Sequence, residues 1–183
     1  MSCAVLSALL ATVSPLTAQP ARFVYLTVTD PLNRFVTGLE PEHFEVVEGG
    51  VRRSIAAFSG PDSPLTIAVV SDVSPQDITA LDGANDLLIQ TRSLTDALRQ
   101  LAASASPRKG LVISSTSQNI PVPQGIHVVR TDASGLSRAI IELRSQYVFQ
   151  VQDVSPSSEI EIVVKQPRGL PILKPHSTVS PSR

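Results

Sequence analysis

The side chains that could perform nucleophilic or acid–base chemistry in this sequence are few and widely separated. Ser74, His127 and Asp132 have the types of a Ser/His/Asp nucleophilic set. No Gly-x-Ser-x-Gly elbow surrounds Ser74, however, and that elbow is what exposes the serine of an α/β-hydrolase. His43, His127 and His176 share no metal-ligand spacing, and lone histidines are usually structural or solvated. We therefore predict no catalytic centre, with an α/β hydrolase kept as an alternative.

Paired carboxylates occur at Glu40 and Glu42 and again at Glu159 and Glu161. In an extended chain, residues two apart point to the same side, so each pair predicts a solvated face. Retaining glycosidase chemistry would need two carboxylates facing each other across a cleft, and neither pair indicates one. The single cysteine, Cys3, provides neither a disulfide framework nor a thiolate metal site.

Charge and composition exclude further classes of function. The 183 residues include 15 Lys and Arg against 16 Asp and Glu, a formal net charge of −1. No basic run with interleaved aromatic residues is present, so we expect no nucleic-acid partner. Apolar residues make up 42% of the chain and aromatic residues 4%, with no Trp. This composition favours an aliphatic core, as in α/β sheets covered by helices.

The amino-terminal residues have features of a targeting segment. An apolar stretch at 4–13 is followed by the helix breaker Pro15 and by small residues ending at Ala18. This pattern predicts a secretory signal peptide over 1–18, although no Lys or Arg precedes Arg22. About ten apolar residues are too few to span a bilayer, and no later stretch is longer. We predict a secreted or periplasmic protein without stable membrane insertion.

The next part of the chain has the pattern of antiparallel β-structure. Residues 23–29, FVYLTVT, are rich in β-branched and aromatic side chains and run into turn-forming residues. Residues 43–50, HFEVVEGG, alternate between apolar and polar and end in a Gly-Gly hairpin signal. The segment VRRSIAAF at 51–58 completes the hairpin. These features predict a small β unit over 22–60.

From residue 64 the pattern changes to alternating strands and helices. Residues 65–73, LTIAVVSDV, form a nearly continuous apolar run, which predicts a central strand covered on both faces. Further elements are predicted as helices at 78–88 and 94–101, strands at 110–115 and 126–131, a helix at 133–144, a strand at 146–151, an antiparallel strand at 160–165 and a disordered Ser/Pro-rich tail at 176–183. The alternation is typical of a mostly parallel, Rossmann-like α/β sheet.

Several motifs stand in a specific order. VTD, FVTGL and FEVVEGG precede a strand that ends in Asp72-x-Ser74, and LRSQYVFQV precedes EIEIVVKQPRGLPILKPHS near the carboxyl end. In order and spacing they resemble a bacterial, acidobacterial-type family of exported proteins with a von Willebrand factor A (VWFA)-related domain. The resemblance implies a shortened VWFA-like α/β domain at 64–152. This domain would be inserted into an antiparallel β unit made of 22–60 and 157–175.

The resemblance also implies a metal-ion-dependent adhesion site built on an Asp-x-Ser-x-Ser loop. Here that loop reads Asp72-Val73-Ser74-Pro75-Gln76, so Gln76 stands where the family has its second serine. Asp72, Ser74 and Gln76 are the candidate ligands of this degenerate site, and Mg²⁺ or Mn²⁺ is the cation that such oxygen ligands suit.

The other two loops of the implied site match less well. Thr91 and Thr95 lie near the place of the family's threonine, but neither is in register. Residues 116–119, Thr-Ser-Gln-Asn, stand where the family has an aspartate. We therefore expect no cofactor, and we expect the carboxylate of Asp72 to cap the following helix or turn instead.

Together these observations predict an exported, non-enzymatic protein–protein interaction module of the cell envelope or periplasm that needs no metal. The alternatives are divalent-metal-dependent ligand binding through the partial adhesion site and a hydrolytic enzyme built on the α/β part.

Overall fold

The computed structural model describes residues 21–72, 83, 85–114, 121–155, 157–165, 167 and 172–179. The strands are β1 (Arg22–Thr29), β2 (Phe44–Glu48), β3 (Val51–Arg53), β4 (Ile55–Ser59), β5 (Leu65–Val70), β6 (Asp86–Thr91), β7 (Arg108–Ile113), β8 (His127–Arg130), β9 (Gln146–Val151), β10 (Ile160–Val164) and β11 (Lys174–Val179). The α-helices are α1 (Leu94–Ala103) and α2 (Leu136–Arg144), with short 3-10 turns at Pro41–His43 and Ala133–Gly135. Neither α-helix is long and apolar enough to cross a membrane.

Two antiparallel sheets pack face to face as a β-sandwich. One sheet has the strand order β11-β1-β9-β4 and the other has the order β10-β2-β3. Alternate residues of β1, such as Val24 and Leu26, face a core that contains Phe44 of β2 and Phe149 of β9. The rings of Phe44 and Phe149 meet edge to face, with centroids 5.0 Å apart. The alternating pattern of β2 thus has its predicted buried face.

The third sheet is parallel, with the order β6-β5-β7-β8. Ile67 and Val69 of β5 face α2, whereas Ala68 and Val70 face α1 on the opposite side. All six residues of β5 are buried, which confirms the predicted central strand. The chain therefore combines a parallel sheet between helices with antiparallel sheets, in agreement with the predicted α/β class.

The strand at 146–151 is present, but its predicted membership of the parallel sheet is wrong. This strand, β9, pairs antiparallel with β1 and β4 in the sandwich. Tyr147 and Phe149 point into the sandwich core, and the strand is almost entirely buried because its sheet is also covered by the parallel part. A strand buried on both faces reads as a continuous apolar run in either kind of sheet, so the sequence pattern could not separate the two.

Three other predicted elements need correction. Of the helix predicted at 78–88, residues 78–82 and 84 lie outside the described residues, whereas residues 86–88 belong to strand β6, because a short apolar run such as LLI suits a helix and a strand equally well. The second arm of the hairpin divides into β3, which pairs with β2, and β4, which crosses to the other sheet. The tail predicted to be disordered from residue 176 continues as β11 through Val179, paired with β1 by main-chain hydrogen bonds that do not require apolar side chains.

The two parts of the fold meet at the buried side chain of Arg108, which is 1% exposed. Its Nη1 donates to the carbonyl oxygens of Pro61 and Ser63, at 2.7 and 3.1 Å. Its Nη2 donates to the carbonyl oxygens of Leu143 and Arg144, each at 2.6 Å. The first two carbonyls belong to the segment that enters the parallel sheet, and the last two belong to the end of α2, where the chain leaves it.

The chemistry of this contact suits a cation. The last carbonyls of a helix have no partner within the helix and carry partial negative charge, so a guanidinium both satisfies and stabilises them. Burial lowers the pKa of Arg108 to about 10, against the opposing effect of Asp86 and Asp62. The side chain therefore stays charged at neutral pH.

Arg108→Met should lower the free energy of unfolding by about 3 kcal/mol, because several buried carbonyls would lose their donor. Urea denaturation followed by circular dichroism measures the change. Arg138→Met on the exposed face of α2 is the matched control and should stay within about 0.5 kcal/mol of wild type. Equal stabilities of the two variants would contradict the role given to Arg108.

Candidate functional site

The carboxyl edge of the parallel sheet has the topology at which ligands of this class of sheet usually bind. The chain passes from β5 to β6 on one side and later to β7 on the other, so the strand order reverses between β5 and β7. Ligands of open parallel sheets commonly bind at such a reversal, outside the carboxyl ends of the strands. Ser71 and Asp72 follow β5 at this edge, and Ser114 follows β7.

Asp72 is the described member of the predicted metal set. Its side chain is 84% exposed, and its Oδ1 lies 3.7 Å from Nε of Arg92, whose side chain is 82% exposed. Ser74 and Gln76, as well as the turn that Asp72 was expected to cap and residues 116–119, lie outside the described residues. Among the residues that are described, no three or more histidine, cysteine, aspartate or glutamate side chains are grouped as they would be around a metal ion.

The two threonines considered for this site are placed differently. Oγ1 of Thr91 accepts a hydrogen bond from the main-chain N–H of Ser93 at 3.0 Å, which fixes the turn before α1. Thr95 is exposed in the first turn of α1. Arg92 places a positive charge beside Asp72, and a charge of that sign disfavours a divalent cation at the same carboxylate. The described part of the implied metal site does not fit a cation well.

The described members of the Ser/His/Asp set, which was considered only for the alternative of a hydrolase, do not lie together. His127 begins β8 and Asp132 follows its other end, so the two are separated by roughly 16 Å of extended chain. Oδ1 of Asp132 accepts hydrogen bonds from the hydroxyl of Ser134 and the main-chain N–H of Gly135. These bonds lower the pKa of Asp132 and cap a 3-10 turn. Ser74 lies outside the described residues.

His127 is instead part of the contact between the parallel sheet and the sandwich. Its ring stacks on that of Tyr25 in β1, with centroids 4.3 Å apart and planes 12° from parallel. Its Nδ1 lies 2.8 Å from Oε1 of Gln146 in β9. Burial lowers the pKa of His127, partly offset by the Gln146 hydrogen bond and the charge of Glu142. A buried neutral imidazole of this kind is structural.

The remaining polar candidates also have local partners or exposed positions. Nδ1 of His43 accepts the main-chain N–H of Glu40 at 3.0 Å and caps a 3-10 turn. His176 is exposed on β11, 3.4 Å from Oγ1 of Thr29. Glu40 and Glu42 are exposed at the same turn, in keeping with the predicted solvated face.

A groove of about 630 Å³ lies along β10, at the side of the sandwich where β10 and β11 are both edge strands. Its lining residues are Val47, Gly49, Gly50, Ser158, Glu159, Ile160, Glu161, Ile162, Pro175 and Ser177. The sequence predicted the strand EIEIVVK and the exposure of its glutamates. It did not indicate that this strand is an edge, because the missing neighbour is a property of the tertiary pairing.

The other edges of the sandwich carry features that hinder strand addition. β3 has only three residues, β4 contains a register irregularity between Ile55 and Ala57, and β11 contains Pro175, which has no N–H group. β10 has five residues, IEIVV, of which four are β-branched, without proline, glycine or register shift. Within the described sandwich, β10 is therefore the edge most open to another strand.

The free energy of unfolding should fall as the pH is lowered from 7.5 to 5.5. An unfolded histidine has a pKa of about 6.5 and the folded pKa of His127 is lower, so the unfolded chain binds more protons over this interval. The stabilisation is complete above the unfolded pKa and is lost as the pH falls towards the folded one. His127→Gln should flatten this dependence in urea denaturation, whereas the exposed His176→Gln should retain it. Parallel slopes for wild type and His127→Gln would contradict this.

Titration of the purified protein with MgCl₂ or MnCl₂ should give the same calorimetric trace for wild type and for Asp72→Ala. The physical reason is the positive charge of Arg92 next to the carboxylate. A saturable heat in the wild type that disappears in Asp72→Ala would restore the adhesion-type metal site.

Comparison of the chain with protein-family models, with curated proteins and with solved structures finds no match in any of the three.

Proposed function

We propose that this protein is an exported, non-enzymatic protein-binding module of the cell envelope or periplasm, that it is related to VWFA-domain proteins, and that it binds extended polypeptide segments along β10 without a metal ion. The observation that carries the proposal is the open β10 edge beside a groove. The VWFA relationship and export rest on the sequence resemblance and on the signal-like residues 1–18.

Strand addition uses chemistry that an edge strand already provides. In an antiparallel pair, alternate residues turn their N–H and C=O groups away from the existing neighbour, and these groups can bond an incoming strand. Ile160 and Ile162 are buried on the inner face of β10, while Glu161 and Val163 are exposed on the outer face. Main-chain bonds would supply affinity, and the groove beside the strand would supply selectivity.

The metal-free form of the proposal is favoured by the surroundings of Asp72. Its described neighbour is the cationic Arg92, and both side chains are largely exposed to water. An exposed pair of this kind adds little stability and can be displaced by a macromolecular ligand. A hydrolase has less support because His127 is buried between two parts of the fold and Asp132 is used in a turn.

Ten-residue peptides selected from a random display library should bind at β10. Hydrogen exchange measured by NMR should show slower exchange on addition of a selected peptide for the amides of Ile160, Ile162 and Val164, which point away from β2, with no change at residues 71–72. Binding should be the same in Mg²⁺ and in EDTA, and Asp72→Ala should bind as wild type does. Failure to select any peptide, or protection confined to residues 71–72, would overturn the proposal.

A further inference from the structure

Among the described residues, the charged side chains at the β10 edge form no ion pairs, whereas those of the neighbouring strand β2 do. On β2, Glu45 and Glu48 form ion pairs with Arg52 and Arg53 of β3, at 2.6 and 2.7 Å. Glu159 precedes β10, Glu161 lies within it and Lys165 follows it. All three are exposed and form no ion pair with any described residue. An added strand could therefore complement both signs of charge along a single edge.

The directions of the main-chain groups of β10 follow from its pairing with β2. The N–H of Lys165 donates to the carbonyl of His43 at 2.8 Å, so residue 165 turns its main-chain groups towards β2. Because the directions alternate along an antiparallel pair, residues 161 and 163 do the same. Ile160, Ile162 and Val164 must then turn their N–H and C=O groups outward, to the open side.

These outward groups fit the same edge of a second copy. If two β10 strands run antiparallel with Ile162 opposite Ile162, then Ile160 of each copy stands opposite Val164 of the other. All the facing main-chain groups then belong to outward-directed residues, which gives about six hydrogen bonds. A shift of the register by one residue would place residues whose N–H and C=O groups face the other copy opposite residues whose groups face their own β2. It would also turn the apolar face of the added strand to solvent.

The same register matches the charges. Glu159 and Lys165 each lie three residues from Ile162, so Glu159 of each copy stands opposite Lys165 of the other. The two-fold symmetry therefore gives two Glu159–Lys165 pairs. Glu161 stands opposite Val163, which is 41% exposed in the single chain. A register centred on Glu161 would instead place two glutamates opposite each other, which is unfavourable.

We propose, resting on the proposed strand addition at β10, that the strand added there is β10 of a second copy of this chain. The two copies form a two-fold symmetric dimer centred on Ile162, in which two three-stranded sheets become one six-stranded sheet. Pairs of Glu159 and Lys165 join the copies at both ends of the shared ladder. Two-fold dimers are the commonest closed assemblies, and each copy uses the same patch of surface.

Charge reversal tests this arrangement, since both side chains are exposed and their replacement should leave the fold intact. Glu159→Lys and Lys165→Glu should each weaken dimerisation in sedimentation velocity by about tenfold, because each places like charges opposite each other at both ends. The double variant Glu159→Lys/Lys165→Glu should return to within about threefold of wild type. An equimolar mixture of the two single variants should also dimerise, since it restores opposite charges at both ends. Arg138→Glu on α2 is the matched surface control.

The outcomes separate this inference from the proposed function. A wild-type protein that stays monomeric up to about 100 μM, or a dimer that no reversal weakens, overturns the dimer. If a monomer still shows peptide protection at 160–164, strand addition stands and only the identity of the partner is wrong. If neither a dimer nor a peptide protects these amides, both proposals fail.

Discussion

The hydrogen bonds from Arg108 to four main-chain carbonyls join the entry and exit of the parallel sheet at one buried point. A guanidinium in such a place is costly to desolvate, and no described carboxylate bonds it directly. It is compensated by carbonyl dipoles, among them the partially negative end of α2. Because its planar donors have fixed directions, the side chain determines how closely the linker at Pro61 approaches the end of α2. The orientation of the sandwich against the parallel sheet depends on this geometry.

The sheet β11-β1-β9-β4 packs on both of its faces, against the second sheet of the sandwich on one side and against the parallel sheet on the other. One face packs on β2 and β10, and the other receives His127 against Tyr25. This double coverage explains why β1 and β9 are buried along almost their whole length. It also means that the sandwich and the parallel sheet are coupled by side-chain packing as well as by their two covalent connections.

The sequence predicted local elements better than their partners. The run LTIAVV identified β5 because a strand buried on both faces is continuously apolar, and the alternation FEVVE identified β2. The run QYVFQV was as clearly a strand, but only tertiary pairing places it in the sandwich. The polar β11 was missed because its pairing with β1 leaves little trace in side-chain type.

The same distinction applies to the candidate sites. Asp72 follows the central strand predicted at 65–73, and a residue that follows a parallel strand lies at the carboxyl edge of its sheet. Its neighbour Arg92 could not be identified from spacing, because only residues 86–88 of β6 were covered by a prediction, and that prediction was a helix. The exposure of Glu161 was predictable from alternation, but the open side of its strand was not.

The position of β1 between β11 and β9 has a consequence for how the chain acquires its structure. The first strand among the described residues obtains its two neighbours from the last third of the sequence, with registers such as Val24 opposite Val179. The strands and helices between Leu65 and Arg144 contact one another over shorter separations and can associate earlier. The sandwich must close over much longer loops, which is slow in chains rich in distant contacts. Until the carboxyl-terminal residues are available, β1 is an apolar strand without hydrogen-bonded neighbours, and this is the interval in which the chain is most open to chaperones and to aggregation.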